Sequence, residues 1–232
     1  MTDTPAAWCL EPIGIMRSPY KEKFGIPRQP GLVDVETRLE LLPGFDRPEM
    51  LEGLTGFSHL WLTFVFHACV DQGWRARVRP PRLGGNTRIG VYASRSPFRP
   101  NHLGLSVVEL LGVEMGKPVS LRLRGADLLD GTPVLDIKPY VPYVDALPDA
   151  RGGFAPQAPA ALAVRFGPAA QDAVADAPAL RDMISAVLAQ DPRPAYQADD
   201  AERVYGMRLA AVNLRFRIDA GVVEVLAVEP AP

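Results

Sequence analysis

The chain has 232 residues, of which 47% are hydrophobic and 22% charged, and its net charge is −2. Such values are ordinary for a globular protein and exclude a disordered chain, while the longest apolar run, Leu60 to Phe66, is broken by Thr63 and too short to cross a bilayer. The length allows one domain or two, and the weakly negative total, taken alone, argues against a nucleic-acid partner.

Two cysteines, Cys9 and Cys69, make no disulfide framework, so a reducing, cytoplasmic setting is expected. The acidic opening MTDTPAAWCLEP has no basic residue before Arg17, the wrong order for a secretory signal. The 24 prolines each remove a backbone donor, which favours strands and ordered loops over helices. From Ile13 to Leu42 the pattern reads as strand, long loop, strand. SHLWLTFVFH then alternates, placing Leu60, Leu62, Phe64 and Phe66 on one face and His59 and His67 at opposite ends of the other. RIGVYAS, LGLSVVELLGVEM and VSLRLRG read as further strands, the last with Val119, Leu121 and Leu123 inward. LLDGTPVLDIKPY is the strongest hairpin signal, a strand and a second strand about an Asp-Gly turn. Strands at this spacing predict a mainly β chain, with an N-terminal closed barrel rather than a doubly wound sheet, over residues 10–150. Ala, Pro and Gly crowd residues 147–164 like a linker. Beyond it Leu180, Met183, Ile184, Val187 and Leu188 fall at helical spacing, with Asp176 and Pro178 suited to the helix start. VYGMRLAAVNLRFRID and VVEVLAVEP close a small α+β domain over 155–232.

Charge is segregated along the chain. Between Asp71 and Glu109 lie Arg75, Arg77, Arg79, Arg82, Arg88, Arg95 and Arg99, with no lysine and no acid, so all 27 acidic residues lie elsewhere. Arginine's planar fork binds carboxylate and phosphate in bidentate fashion and stacks on bases. Several chemistries have no support. LGGNTRIG lacks the G-x-G-x-x-G spacing of a dinucleotide site, no P-loop occurs, and GFSHL is not a nucleophile elbow. His67 and Cys69 could form half of a metal site, but no second ligand pair follows, and no metal is expected.

PIGIMRSPYKEKFGIPRQPGLV, GFSHLWLTFVFH, RPPRLGGNTRIGVYASRSPFRPN, DLLDGTPVLDIKPY and LAQDPRPAY, in this order, resemble the TsaA-like family of tRNA methyltransferases, also called TrmO. The resemblance runs from about Pro12 to Pro230. It implies a β-barrel catalytic domain unlike the Rossmann methyltransferases. It also implies S-adenosylmethionine as cofactor and methylation of N6 of threonylcarbamoyl-adenosine (t6A) beside the anticodon of a threonine tRNA, giving m6t6A. By the same resemblance Pro27, Arg28, Gln29, His67, Arg95, Leu105 and Asp127 contact the cofactor, and the chain forms a homodimer with cofactor pockets near the subunit contact. RPNHLG departs from relatives, which commonly carry proline and isoleucine at His102 and Leu103, so His102 receives no role.

Methyl transfer from a sulfonium needs orientation rather than a covalent nucleophile. An arginine can hold the cofactor's carboxylate, and Asp127 its ammonium or a ribose hydroxyl. The accepting N6, acidified by its carbamoyl group, must lose a proton, and Asp127, Asp136 and His67 are all candidate bases. Asp136 alternates with apolar residues in a strand, where bonding a neighbouring turn is the competing role. Arg99 and Asn101 either fix their loop or meet the RNA. In DPRPAY, Arg193 and Tyr196 either reach phosphate and a loop base or pin the helix to the barrel. Two rival readings remain: a non-catalytic RNA-binding barrel, and an enzyme acting on a free nucleotide-like molecule.

Overall fold

A computed structural model describes residues 7–193 and 200–232. The first part carries β1 (Gly14–Arg17), β2 (Glu36–Leu41), β3 (His59–Val65), β4 (Arg77–Val78), β5 (Ile89–Gly90), β6 (Leu103–Glu114), β7 (Ser120–Arg124), β8 (Pro133–Pro139) and the single turn α1 (Pro142–Asp145). Six of these strands close into a barrel in the order β1-β2-β7-β6-β3-β8, every pair antiparallel. The period-two pattern explains the closure: Met16, Leu39, Leu60, Leu62, Leu121 and Leu123 all point inward and are fully buried. Each such side chain contributes roughly 1.5–3 kcal/mol by leaving water. Outward positions on the same strands carry cross-strand ion pairs, Arg17 with Glu40, Arg122 with Glu36, Arg124 with Glu109 and Arg38 with Glu114.

The second part holds β9 (Ala163–Phe166), α2 (Pro168–Ala173), α3 (Pro178–Leu188), β10 (Tyr205–Leu209), β11 (Val212–Asp219) and β12 (Val222–Pro230). Its sheet runs β10-β11-β12-β9, with β9 parallel to β12. Ile184, Val187 and Leu188 of α3 pack with Leu214, Phe216 and Val223 of the sheet. Tyr20, Val33 and Val35 belong to this same cluster although they lie on the long β1–β2 loop. The loop is stitched down by Ala210 N–H donating to Pro19 O (2.7 Å) and by a bridge between Tyr20 and Leu209. At its middle Gly25 has φ of 91°, and a Cβ there would lie 2.1 Å from Met207 Sδ. The second cluster thus holds both ends of the loop and packs against Ile26, while Pro27 to Pro30 face the barrel mouth.

Four local expectations are corrected. The Asp130-Gly131 turn does not join two paired strands, because residues 128–132 bond back to β1 instead, through Ser18 Oγ to Leu128 O, Gly131 N–H to Met16 O and Met16 N–H to Thr132 O. β8 pairs with β1 and β3. RIGVYAS is strand only at Ile89–Gly90, then turns through a 3-10 turn over Val91–Ala93. His67 is not on β3: Phe66, at φ −70° and ψ 61°, ends the extended run, and His67 opens a 3-10 turn over His67–Gln72. In the C-terminal part, α2 follows a Gly167-Pro168 start that the composition had hidden, and α3 begins at Pro178 behind Ala177, with no side-chain cap from Asp176.

Candidate active site

The barrel is not filled along its whole length. On β6 the inward positions Gly104 and Ser106 are small where the rest of the lumen carries Leu, Met, Val and Phe, and the missing bulk leaves a cleft of about 480 Å³. That volume is right for a ligand of nucleoside size. Gly104 is required here, since a Cβ would come within 2.3 Å of the Phe64 ring that forms the cleft floor.

Four loops wall the cleft. The β1–β2 loop contributes Pro27, Arg28 and Gln29; the turn after β3 contributes His67; the loop before β6 contributes Ser94, Arg95 and Arg99; the segment after β7 contributes Asp127. Leu105, 56% exposed, lies at the rim. All seven residues that the resemblance assigned to the cofactor therefore meet in one cavity, from five separate stretches of sequence. Arg95 donates to Gln29 Oε1, joining two of the loops.

Asp127 is the most perturbed group in the cleft. Burial pushes its carboxyl up to about 6, against the Ser106 hydroxyl, which donates to Oδ1 at 2.6 Å, and the Arg95 charge, both of which favour the ionised form. A group with that pKa is mostly ionised at neutral pH yet basic enough to accept a proton. Behind it, burial also raises the Tyr20 phenol, and the Asp127 charge adds to the effect.

The remaining candidates separate. Arg99 lines the cleft, but its guanidinium donates to Ser94 O (2.6 Å) and Val91 O (3.4 Å), so it braces the loop. Asn101 is exposed and outside the cleft wall. Asp136 also lies outside it; its side chain is 53% exposed and accepts from the next residue's N–H at 2.9 Å, the local role that competes with base catalysis. Arg28 does not turn its guanidinium wholly to the cleft, since it donates to the carbonyls of Asp191 (3.2 Å) and Arg193 (2.9 Å). Arg193 has a side chain only 10% exposed and grips both Asp191 oxygens, at 2.8 and 2.9 Å, the geometry of a pin rather than of an open phosphate contact. Tyr196 lies outside the described residues. His102 is buried at φ 50°, and its Nδ1–H donates to Pro97 O at 3.0 Å, so it locks the turn of the arginine loop. The sequence reading missed Ser106, Phe64, Phe66 and Trp61 of the wall. The Gly-x-Ser step on an otherwise bulky strand was the available signal for Ser106.

Comparison with known proteins places this geometry. The family model of the tRNA-methyltransferase O N-terminal domain matches residues 15–146, and that of the TrmO C-terminal domain matches 159–231. The chain is 49% identical over 229 residues to the Escherichia coli K12 tRNA (adenine(37)-N6)-methyltransferase, covering 95% of this chain and 97% of that one. It is 52% identical over 206 residues to a Pseudomonas aeruginosa protein provisionally named an S-adenosylmethionine-dependent methyltransferase, RcsF, covering 86% and 88% of the two chains. A crystal structure of TrmO from P. aeruginosa superposes with a TM-score of 0.81 at 42% identity, covering 99% of this chain and 100% of that one. The closed non-Rossmann barrel, the walled cleft and matches over both parts of the sequence agree, and the chain belongs to the TrmO family.

Proposed function

We propose that this protein transfers a methyl group from S-adenosylmethionine to N6 of threonylcarbamoyl-adenosine beside the anticodon of threonine tRNA. Its relatives' names supply tRNA, adenine 37 and the methyl donor; the threonylcarbamoyl group and the tRNA species are the finer part of the reading. The observation that carries it is the single cleft in which Pro27, Arg28, Gln29, His67, Arg95, Leu105 and Asp127 meet.

The cleft fits the donor. Its volume suits a nucleoside, the Arg95 guanidinium suits the carboxylate of the amino-acid tail, and the Asp127 charge suits a cationic ligand. When bound, the donor supplies an electrophilic methyl on a sulfonium. The chain's own residues orient and deprotonate. Gln29, held by Arg95, and His67, projecting from the 3-10 turn, border the ligand, while Phe64 and Phe66 keep water from the floor. Asp127 takes the N6 proton, since it is the cleft carboxylate whose affinity for a proton is raised towards neutrality. Ser106 holds Oδ1 of Asp127 and so fixes the orientation of the carboxylate. We further propose residues 10–150 as the catalytic domain, 155–232 as the appended domain, and a cytoplasmic homodimer as the working form.

The test is transfer of labelled methyl from S-adenosylmethionine to threonine tRNA with and without the threonylcarbamoyl group. Label on the carbamoylated tRNA alone is expected. Equal label on both would refute the finer reading, and label on neither, with RNA still bound, would favour a non-catalytic barrel.

A further inference from the structure

On the outer faces of the two main sheets most arginines are answered by acids: Arg17, Arg38, Arg122, Arg124, Arg215 and Arg217 form ion pairs, while Arg165 and Arg208 do not. Among the described residues no ion pair involves any arginine between Asp71 and Glu109. This segment forms the two-stranded ribbon β4–β5 and its flanks, which grow from the cleft rim. Arg75 N–H donates to Phe98 O (3.1 Å) and Val91 N–H to Ala76 O (3.0 Å), so the ribbon base is tied to the loop that bears Arg95.

The guanidiniums divide by what they already hold. Arg75 lies 4.2 Å over the Phe98 ring, Arg77 donates to Arg88 O at 3.2 Å, and Arg82 donates to Gln157 O at 2.5 Å. These shape the ribbon. Arg79 and Arg88 are exposed, and among the described residues their guanidiniums have neither hydrogen bond nor ion pair. Trp74, 60% exposed, and Tyr92, 78% exposed, flank the same ribbon. Uncompensated arginines interleaved with open aromatic faces match a strand of RNA, with its phosphates and unstacked bases, better than an acidic protein surface, which would leave the rings without a role.

We infer that the β4–β5 ribbon is a phosphate-binding arm that grips the tRNA backbone beside the nucleotide entering the cleft, with Arg79 and Arg88 as its contacts. This rests on the reading that the substrate is a tRNA, but not on which base is methylated. Neither arginine lines the cleft. They set affinity for the RNA and leave donor binding and the chemical step alone.

The experiment compares the full chain with Arg79→Ala/Arg88→Ala and Arg79→Glu/Arg88→Glu, measuring tRNA affinity across a salt series, S-adenosylmethionine binding, and mass in solution. Each lost phosphate contact flattens the slope of log K against log salt by about 0.7–0.9, so the alanine pair should be shallower by about 1.4–1.8. Its tRNA Kd and KM should rise about tenfold at 0.1 M salt, more for the glutamate pair, with donor binding and kcat unchanged. Wild-type affinity and slope in both variants would overturn the proposal. So would conversion of a dimer to a monomer, which would make the ribbon a subunit contact. A wild-type protein that binds no tRNA would sink this inference and the proposed function together. One that binds tRNA with the steeper slope but transfers no methyl would leave the arm standing and refute the function alone.

Discussion

Replacing Asp127 by asparagine should make the protein more stable and inactive, with the gain depending on pH. The folded carboxyl has a pKa of about 6, raised first by burial, while in the unfolded chain it returns to the ordinary aspartate value of 3.8. The folded state therefore holds a proton that the unfolded state has released between these values, and stability falls as pH rises through that window. Well below pH 3.8 the carboxyl is neutral in both states and costs nothing. Well above pH 6 it is charged in both, and the difference between 3.8 and about 6 corresponds to roughly 3 kcal/mol at full burial. The open cleft admits water and reduces this to about 1–2 kcal/mol. Asparagine keeps the shape, and its carbonyl oxygen can still accept from Ser106. Urea unfolding of both proteins from pH 3 to 8 should show the curves together at pH 3 and the variant ahead by about 1–2 kcal/mol at pH 8. Methyl transfer in the variant should fall about 10²–10⁴-fold, the usual worth of a general base. In the wild type, kcat/KM for the donor should rise about tenfold per pH unit below 6 and level above it. A variant that is less stable than wild type at pH 8, or equally displaced at every pH, would refute the argument that the ionised carboxylate is held at a cost.

Gly104→Ala should push the Phe64 ring into the cleft, weakening donor binding at least tenfold and costing about 1–3 kcal/mol, readable by calorimetry and thermal melts. Gly112→Ala on the same strand meets nothing within 4 Å and should change stability by less than about 0.5 kcal/mol. If the two variants behave alike, close packing against Phe64 is not what demands the glycine. Arg193→Ala and Asp191→Ala should each lower stability by about 1.5–3 kcal/mol, and the double variant should lose little more than either single one, because both break one charge-assisted pair. Additive losses would show that Arg193 and Asp191 act separately.

How far the sequence revealed the molecule depended on whether packing or loops decided the outcome. The inward leucines of β3 and β7 follow from strict alternation, and the α3 face from its spacing, because burial writes a period into the chain. The Asp-Gly hairpin failed since the turn chemistry at Asp130-Gly131 is local, whereas the partner of residues 128–132 is β1, more than a hundred positions away. The alternation extends the strand through His67, because nothing in it signals the dihedral change at Phe66. The site itself lies on loops, where no period exists. Its residues were named through resemblance, and only the structure separates Asp127, inside the cleft beside Ser106, from Asp136, exposed outside it. Arg193 illustrates the same limit: DPR reads equally as an open hand or a closed pin until the Asp191 contact is seen.

The most direct measurement is nucleoside mass analysis of threonine tRNA after incubation with the protein and S-adenosylmethionine, beside a parallel reaction with Asp127→Asn. The account predicts one added methyl, on the base of the threonylcarbamoylated adenosine beside the anticodon, in the wild-type reaction and not in the variant. A methyl on the ribose or at another nucleotide, or undiminished product with Asp127→Asn, would contradict it.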